Sequence, residues 1–291
     1  MTAIKTQKLT KYYGKSRGII EVDLSVEKGD FFGFIGPNGA GKSTLIRTLL
    51  GLISATSGSA EIFGNDIAEN KVENLAKIGY LPSETSFYRG MKVKDILSLS
   101  ANLRNVDCKD EAKILCERLQ LDVDKRVEAL SFGNRKKVGI VCALQHRPDL
   151  YILDEPTSGL DPLMQREFYS ILKERNEEGA TVFLSSHILS EVGRYCKHAA
   201  IIREGKILVS DSVEKLGHTG VKKVLLRGIT DLPEIENVKN IQRDNDSVNF
   251  LYSGKTDALL KALSSISFED INISDPELDE VFINYYVREE I

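Results

Sequence analysis

The chain has no tryptophan, only four cysteines, four histidines and seven prolines in 291 residues. Cys108, Cys116, Cys142 and Cys196 form no CxxC pair, and their spacing suits no zinc site. They read as reduced, buried thiols of a cytoplasmic protein. Neither charge dominates: the net is -4, so no basic field points to nucleic acid. No apolar run approaches the roughly 18 residues that cross a bilayer. The opening "MTAIKTQKLTKYYGK" lacks the apolar core of a signal peptide. If the protein works at a membrane, another chain supplies the membrane part. Repeats and low-complexity segments are also missing.

What is present is ordinary for a globular protein with a sizeable core: 42% hydrophobic and 28% charged residues. Up to about residue 213, strand-like runs alternate with helical ones. "DFFGFIG" (30–36), "LYILDEP" (150–156), "TVFLSSH" (181–187) and "HAAIIREGKILVS" (198–210) favour strands. The near-continuous apolar "LYILD" suits a parallel strand buried on both faces. "KSTLIRTLLGL" (42–52) and "MQREFYSILKERNEEG" (164–179) favour helices, the second with Gly179 placed for a C-cap. The alternation predicts an α/β core. Between about 90 and 147 the chain reads as helices alone, a helical subdomain inserted into that core. From about 216 the pattern changes to short strands, "VKKVLLRGI", "SVNFLYS" and "FEDINIS", with helical "TDALLKALSSI" and "PELDEVFINYY". This tail carries 14 acidic and 8 basic residues, whereas residues 1–215 carry 29 and 31. The expected organisation is a domain over 1–215 and a small α+β domain over 216–291.

"GPNGAGKST" follows a strand and precedes a helix, and matches G-x-x-x-x-G-K-[ST]. In this cradle, Gly36, Pro37, Asn38, Gly39, Ala40 and Gly41 wrap backbone N–H groups around phosphate oxygens. Lys42 would neutralise the β- and γ-phosphates, Ser43 would give its hydroxyl to Mg²⁺, and Thr44 would meet the α-phosphate. The ligand is then a nucleoside triphosphate. Tyr13, before Gly14, offers a ring on which its base can stack.

"LYILDEP" sets Asp154 and Glu155 at the carboxyl end of a buried strand, where α/β sheets bind ligands. Asp154 is a candidate partner of Mg²⁺, directly or through water. Glu155 is a candidate general base for an in-line water. His187 closes the next strand and would touch the γ-phosphate or that water. His146, His198 and His218 have no such setting and read as structural. "LSFGNRKKV" (130–138) holds no metal ligand and no catalytic acid or base. It reads as a hydroxyl and a glycine opening a basic amphipathic helix, an end suited to an anion.

Taken in order, Tyr13, "GPNGAGKST", "LSFGN", "YILDEPTSGLD" and "SSH" resemble the nucleotide-binding subunit of ATP-binding-cassette (ABC) transporters over about residues 1–215. The resemblance implies a P-loop NTPase α/β core with a mixed, mostly parallel sheet, an antiparallel β subdomain and an inserted helical subdomain. It implies two such subunits, expected as a homodimer, facing each other head to tail around two ATP molecules. The signature residues Ser131, Phe132, Gly133 and Asn134 would then meet the ATP of the partner subunit, Ser131 and Gly133 at its γ-phosphate. Asp161 of "SGLD" would help to join the two sites. A separate integral-membrane permease, gripped beside residues 83–88 and the exposed "TSFYRGMKV" (85–93), would place the subunit on the inner face of the cell membrane.

Two positions depart from the family pattern. Phe132 and Asn134 stand where the signature usually has glycine and glutamine. Ser83, followed by Glu84, stands where a glutamine usually follows the strand "IGYLP". Serine is shorter and would reach the metal only through water, so slow basal hydrolysis is expected. The combination "YLPSE", "LSFGN" and "DEPTSGLDPLMQ" with an acidic tail is similar to bacterial exporters of drugs, antimicrobial peptides, lipids or ions. A soluble ABC-type switch ATPase acting on a non-membrane partner is the competing reading. The long coiled coils of the chromosome-organising relatives are missing, however, and there is one cassette rather than the usual two of the translation-acting relatives.

Overall fold

The computed structural model describes residues 1–217, 221–229, 232, 235–244, 246–264 and 266–274. His218 and the helix expected over "PELDEVFINYY" lie outside these residues. The chain divides into two compact units, Met1–Asp211 and Ser212–Ile291.

The first unit opens with a long hairpin, β1 (Thr2–Tyr13) and β2 (Ser16–Glu27), then β3 (Phe31–Ile35) and α1 (Lys42–Leu49). Next come β4 (Ser57–Ile62), β5 (Asn65–Asp66), α2 (Lys71–Ala76) and β6 (Ile78–Leu81). Only helices join β6 to the next strand: α3 (Val93–Asn102), α4 (Lys109–Arg118), a 3₁₀ turn at Val127–Ala129, and α5 (Phe132–Leu144). A lone bridge between Lys92 and Arg126 ties the ends of that segment's first half. The chain continues through β7 (Leu150–Asp154), α6 (Pro162–Glu177), β8 (Thr181–Ser186), α7 (Leu189–Tyr195), β9 (His198–Arg203) and β10 (Lys206–Ser212). The run 198–210 is therefore a pair of strands, turned at Glu204 and Gly205, both at positive φ.

Two sheets result. One is antiparallel, in the order β2-β1-β4-β5; the other has the order β10-β9-β3-β8-β7-β6 and is parallel from β9 to β6. Every residue of β3, β7 and β8 is buried, which is why these strands read as unbroken apolar runs. Ile4, Leu9, Ile19 and Val22 of the hairpin share one core with Leu45, Ile46 and Leu49 of α1 and with Phe32, Ile152 and Phe183 of the parallel sheet. The Phe32 and Phe183 rings stack there with centroids 5.9 Å apart. α6 ends as its sequence suggests, with Gly179 at φ 103°.

The second unit begins with α8 (Val213–Gly217), followed by β11 (Lys222–Arg227), β12 (Val238–Asp244), β13 (Ser247–Tyr252), α9 (Thr256–Leu263) and β14 (Asp270–Ser274). Its antiparallel sheet runs β12-β13-β11-β14 and shares an apolar cluster, Val224, Leu226, Val248 and Phe250, with Leu259 and Leu263 of α9. The edge strand β12 has no buried residue, so nothing in its hydropathy announces it.

Candidate functional site

Parallel register brings the charged residues to one sheet edge. Ile35 of β3 lies beside Ser186 of β8, and Asp154 of β7 lies beside Ser185 of β8. Three strands therefore end in line, and the residues after them, Gly36, Glu155 and His187, emerge together.

The loop from Gly36 to Gly41 turns directly into α1. Gly41 has φ 111°, and a Cβ there would lie 2.7 Å from the Gly18 carbonyl oxygen, so the backbone can pass only as glycine. Gly39 is also left-handed, at φ 79°, and Ala40 is buried. Lys42, 5% exposed, donates from Nζ to the carbonyls of Gly36 at 2.6 Å and Pro37 at 3.2 Å. Its ammonium thus sits inside the mouth of its own loop. Ser43 and Thr44 follow in the first turn of α1, and Asn38 is exposed.

Lys42 Nζ also lies 3.3 Å from Glu155 Oε1, and the other Glu155 oxygen lies 3.1 Å from His187 Nδ1. A cation, a carboxylate and an imidazole are in series. Burial alone would raise the Glu155 pKa. The His187 hydrogen bond and the Lys42 charge outweigh burial and hold the carboxyl below the usual glutamate value. Glu155 has φ 46°, rare for a residue with a side chain. Its backbone N–H donates to the Ser185 carbonyl and to Ser185 Oγ, each at 3.2 Å. The same Ser185 hydroxyl donates to Asp154 Oδ1 at 2.5 Å, with Asp154 1% exposed. Ser185, which the sequence did not single out, thereby orients both acids.

Tyr13 stands at the end of β1, 46% exposed, with Lys11 Nζ 5.4 Å from its ring centroid. A Cβ on Gly18 would lie 3.1 Å from Tyr13 Cε2 and 2.9 Å from Thr44 Cγ2. The ring and the phosphate cradle are therefore one small residue apart.

The second group of predicted residues surrounds α5. Ser131 caps this helix and accepts from the Asn134 N–H at 3.3 Å. Phe132 is half exposed, and its ring covers the α-carbon of Gly159 in "SGLD". A Cβ on Gly133 would lie 2.5 Å from the Gly159 carbonyl oxygen, so the signature segment and "SGLD" pack together only through glycine. Asp161 caps α6, accepting from the N–H groups of Leu163 and Met164 at 3.1 and 3.0 Å. The basic face expected of α5 is not a solvated one: Lys136 is 1% and Lys137 8% exposed. Lys136 Nζ donates to the carbonyls of Pro82 at 3.0 Å and Ser83 at 2.9 Å. Burial lowers the Lys136 pKa to about 8, opposed by the charges of Asp154 and Glu155. A lysine inside an Arg-Lys-Lys run gave no sign of this in the sequence.

Beside α5, a groove of about 780 Å³ is lined by Glu84, Thr85, Phe87, Arg89, Phe132 and Arg135, among others. Two other histidines, His198 and His146, contact buried polar groups away from the sheet edge that carries Glu155. His198 Nδ1 meets Asp30 Oδ2 at 2.8 Å, and His146 Nε2 meets the Ile78 carbonyl at 3.2 Å. Among the described residues no helix is long and apolar enough to cross a membrane, and no cluster of three or more metal-binding side chains occurs.

Comparison with known proteins places this geometry. The family model described as "ABC transporter" matches residues 19–158. The bacitracin transport ATP-binding protein BcrA of Bacillus licheniformis is 44% identical over 213 residues, 71% of this chain and 69% of that protein. The lantibiotic transport ATP-binding protein SrtF of Streptococcus pyogenes is 36% identical over 220 residues, 73% of this chain and 95% of that protein. Among solved structures, an ATP binding subunit of an ABC transporter superposes with a TM-score of 0.71 at 29% identity, covering 74% of this chain and 92% of that one. The fold, the cradle at Gly36–Thr44 and these relatives agree: the chain belongs to the ATP-binding subunits of ABC transporters, ATPases whose hydrolysis is coupled to transport.

Proposed function

We propose that this subunit binds ATP at Gly36–Thr44, pairs with a second copy, and drives export of a drug or antimicrobial peptide through a separate membrane permease. The observation that carries the catalytic part is the Lys42–Glu155–His187 series at the sheet edge. Lys42 and the loop N–H groups hold the β- and γ-phosphates. Glu155, ionised at neutral pH, takes a proton from a water aligned with the γ-phosphorus. The Ser185 anchor fixes the strained turn that aims it. His187 orients the carboxylate and reaches toward the terminal phosphate. Tyr13 stacks on the base.

Ser43 and Asp154 offer the hydroxyl and carboxylate oxygens that suit Mg²⁺. The Ser185 hydrogen bond on one Asp154 oxygen leaves the other oriented as a ligand. A bound Mg²⁺ supplies charge neutralisation between the phosphates. Ser83 contributes through a water at most.

Ser131 and Gly133 take the γ-phosphate held by the partner subunit, and Asp161 holds "SGLD" in place as the cap of α6. ATP therefore stabilises the closed pair, because its full set of contacts exists only there. The groove at Glu84–Arg89 beside α5 receives a cytoplasmic helix of the permease. The domain over 1–215 performs these steps, and the 216–291 domain is an accessory. The cargo class follows the bacitracin and lantibiotic transport relatives, and the export direction follows the resemblance of the motifs to bacterial exporters. The subunit is cytoplasmic and peripheral, held at the membrane by the permease.

The test uses a tagged Glu155→Gln variant, which keeps the side-chain shape and loses the base. Loaded with ATP and Mg²⁺ and extracted from its source membranes, it should carry a polytopic membrane protein in equal amount. An ATP-dependent dimer with no membrane partner would instead favour the soluble switch. A wild-type chain without turnover, indistinguishable from Glu155→Gln, would end the hydrolytic reading.

A further inference from the structure

The Ser83 departure leaves a question that α5 answers. Serine is too short to do the work of a glutamine at the phosphate, yet the turn at Pro82–Ser83 is not slack. Both of its carbonyls point at one ammonium, Lys136 Nζ, at 3.0 and 2.9 Å. That ammonium is almost fully buried. A buried cation is costly unless compensated. Two carbonyls supply hydrogen bonds, and the charges of Asp154 and Glu155 favour its protonated form. The chain therefore spends a buried lysine where a neutral strut would serve if packing were the only purpose.

We infer that Lys136 is a positioning residue for ATP hydrolysis: it fixes the Pro82–Ser83 backbone to the signature helix. The inference rests on the hydrolytic reading above and deepens it. Lys136 lies in α5, four residues after the first helical residue Phe132. The turn at Ser83 and the phosphate-binding end at Ser131–Gly133 are thus two parts of one rigid lever. A pull on residues 84–89 reaches the signature end through Lys136, without a glutamine side chain.

Steady-state hydrolysis by the full chain tests this with Lys136→Met, which removes donors and charge, and Lys136→Gln, which keeps donors and removes charge. Lys136→Met should lower kcat by about 100-fold, the scale of a small misplacement of a reacting group. Binding of a fluorescent ATP analogue should stay within twofold. Lys136→Gln should fall between. Ser83→Gln supplies the discriminating cycle: its effect on kcat should differ at least fivefold between the wild-type and Lys136→Met backgrounds. Equal effects in both backgrounds, or unchanged kcat in Lys136→Met, would overturn the inference.

Amide hydrogen exchange gives a readout that needs no turnover. Lys136→Met should speed exchange in residues 82–88 while leaving 36–44 unchanged. If Lys136→Met does not fold, Lys136→Gln carries both measurements. Exchange that is unaltered at 82–88 refutes the positioning role. If wild type shows no turnover but the exchange change is seen, the hydrolytic reading fails and the mechanical link stands.

Discussion

Two helix N-termini in this chain invite a phosphate, and they are built differently. α1 begins at a left-handed Gly41 among charges: Lys42 in the loop mouth, Glu155 against it, His187 behind. α5 begins at Ser131 with one hydroxyl, already used on the Asn134 N–H, and with a glycine pressed against Gly159. Neither first turn has an acidic residue. Both ends offer free N–H groups and the positive end of a helix dipole. Only the first also holds the charges that chemistry on a phosphate needs. In the proposed function the first is a complete site and the second a half-site, of value only when a second molecule brings it a phosphate.

The largest expected effect breaks the complete site. Lys42→Ala removes the cation from the loop mouth and leaves Glu155 with His187 as its remaining partner in the series. Charge-assisted hydrogen bonds contribute about 1.5–3 kcal/mol each. ATP affinity of the isolated subunit should therefore fall at least tenfold, measured by a fluorescent nucleotide titration. Affinity within twofold of wild type would mean that the cradle's N–H groups alone set binding.

Ser131→Ala probes the half-site. It removes the hydroxyl but leaves α1 untouched. The isolated subunit should bind ATP as wild type does. ATP-driven dimerisation, followed by light scattering, should weaken by about tenfold, the loss of one hydrogen bond to a charged group. The variant also loses its N-cap, which costs about 1 kcal/mol of stability. A melting curve separates that cost from the dimer defect. If ATP binding by the isolated subunit fell as far as in Lys42→Ala, the two ends would be one site and the contrast would be wrong.

The same contrast explains what could be read in advance. The complete site is legible because each of its parts is marked by a local pattern. A cradle needs glycines in one stretch, and fully buried strands such as "LYILD" betray themselves as apolar runs. The supporting residues of both sites are assembled from distance. Ser185 looks like one more strand serine until parallel register puts it beside Asp154. Lys136 looks like part of a solvated basic face until α5 packs over β6 and turns it toward Pro82 and Ser83. The strand β12 is exposed along its length, so no alternation marks it.

Phe132 offers a smaller test of how tightly the half-site is tied to "SGLD". Its ring covers Gly159 and is itself half exposed. Phe132→Gly should cost about 1 kcal/mol of stability, half of a fully buried side chain. It should change turnover by a few-fold at most and leave ATP binding by the isolated subunit unchanged. A loss of ATP-driven dimerisation as large as that of Ser131→Ala would make the ring, rather than the hydroxyl, the main feature of this end.

The smallest effect is invisible at neutral pH and concerns the far end of α5. His146 follows this helix, and its Nε2 meets the Ile78 carbonyl at the start of β6. Its Nδ1 is buried without a hydrogen-bond partner. Burial, with the nearby Arg104 charge, lowers the pKa of His146 from 6.5 to about 4. A base whose folded pKa is depressed stabilises the fold above its unfolded pKa and loses that contribution as pH falls. The loss should begin near pH 6.5 and be complete near pH 4. Chemical denaturation at pH 7.5 and pH 5 should therefore show a lower midpoint in acid, and His146→Gln should narrow the gap. Glu155, with its lowered pKa, stays ionised through most of that window. If the gap between pH 7.5 and pH 5 is the same in His146→Gln, the acid sensitivity has another origin.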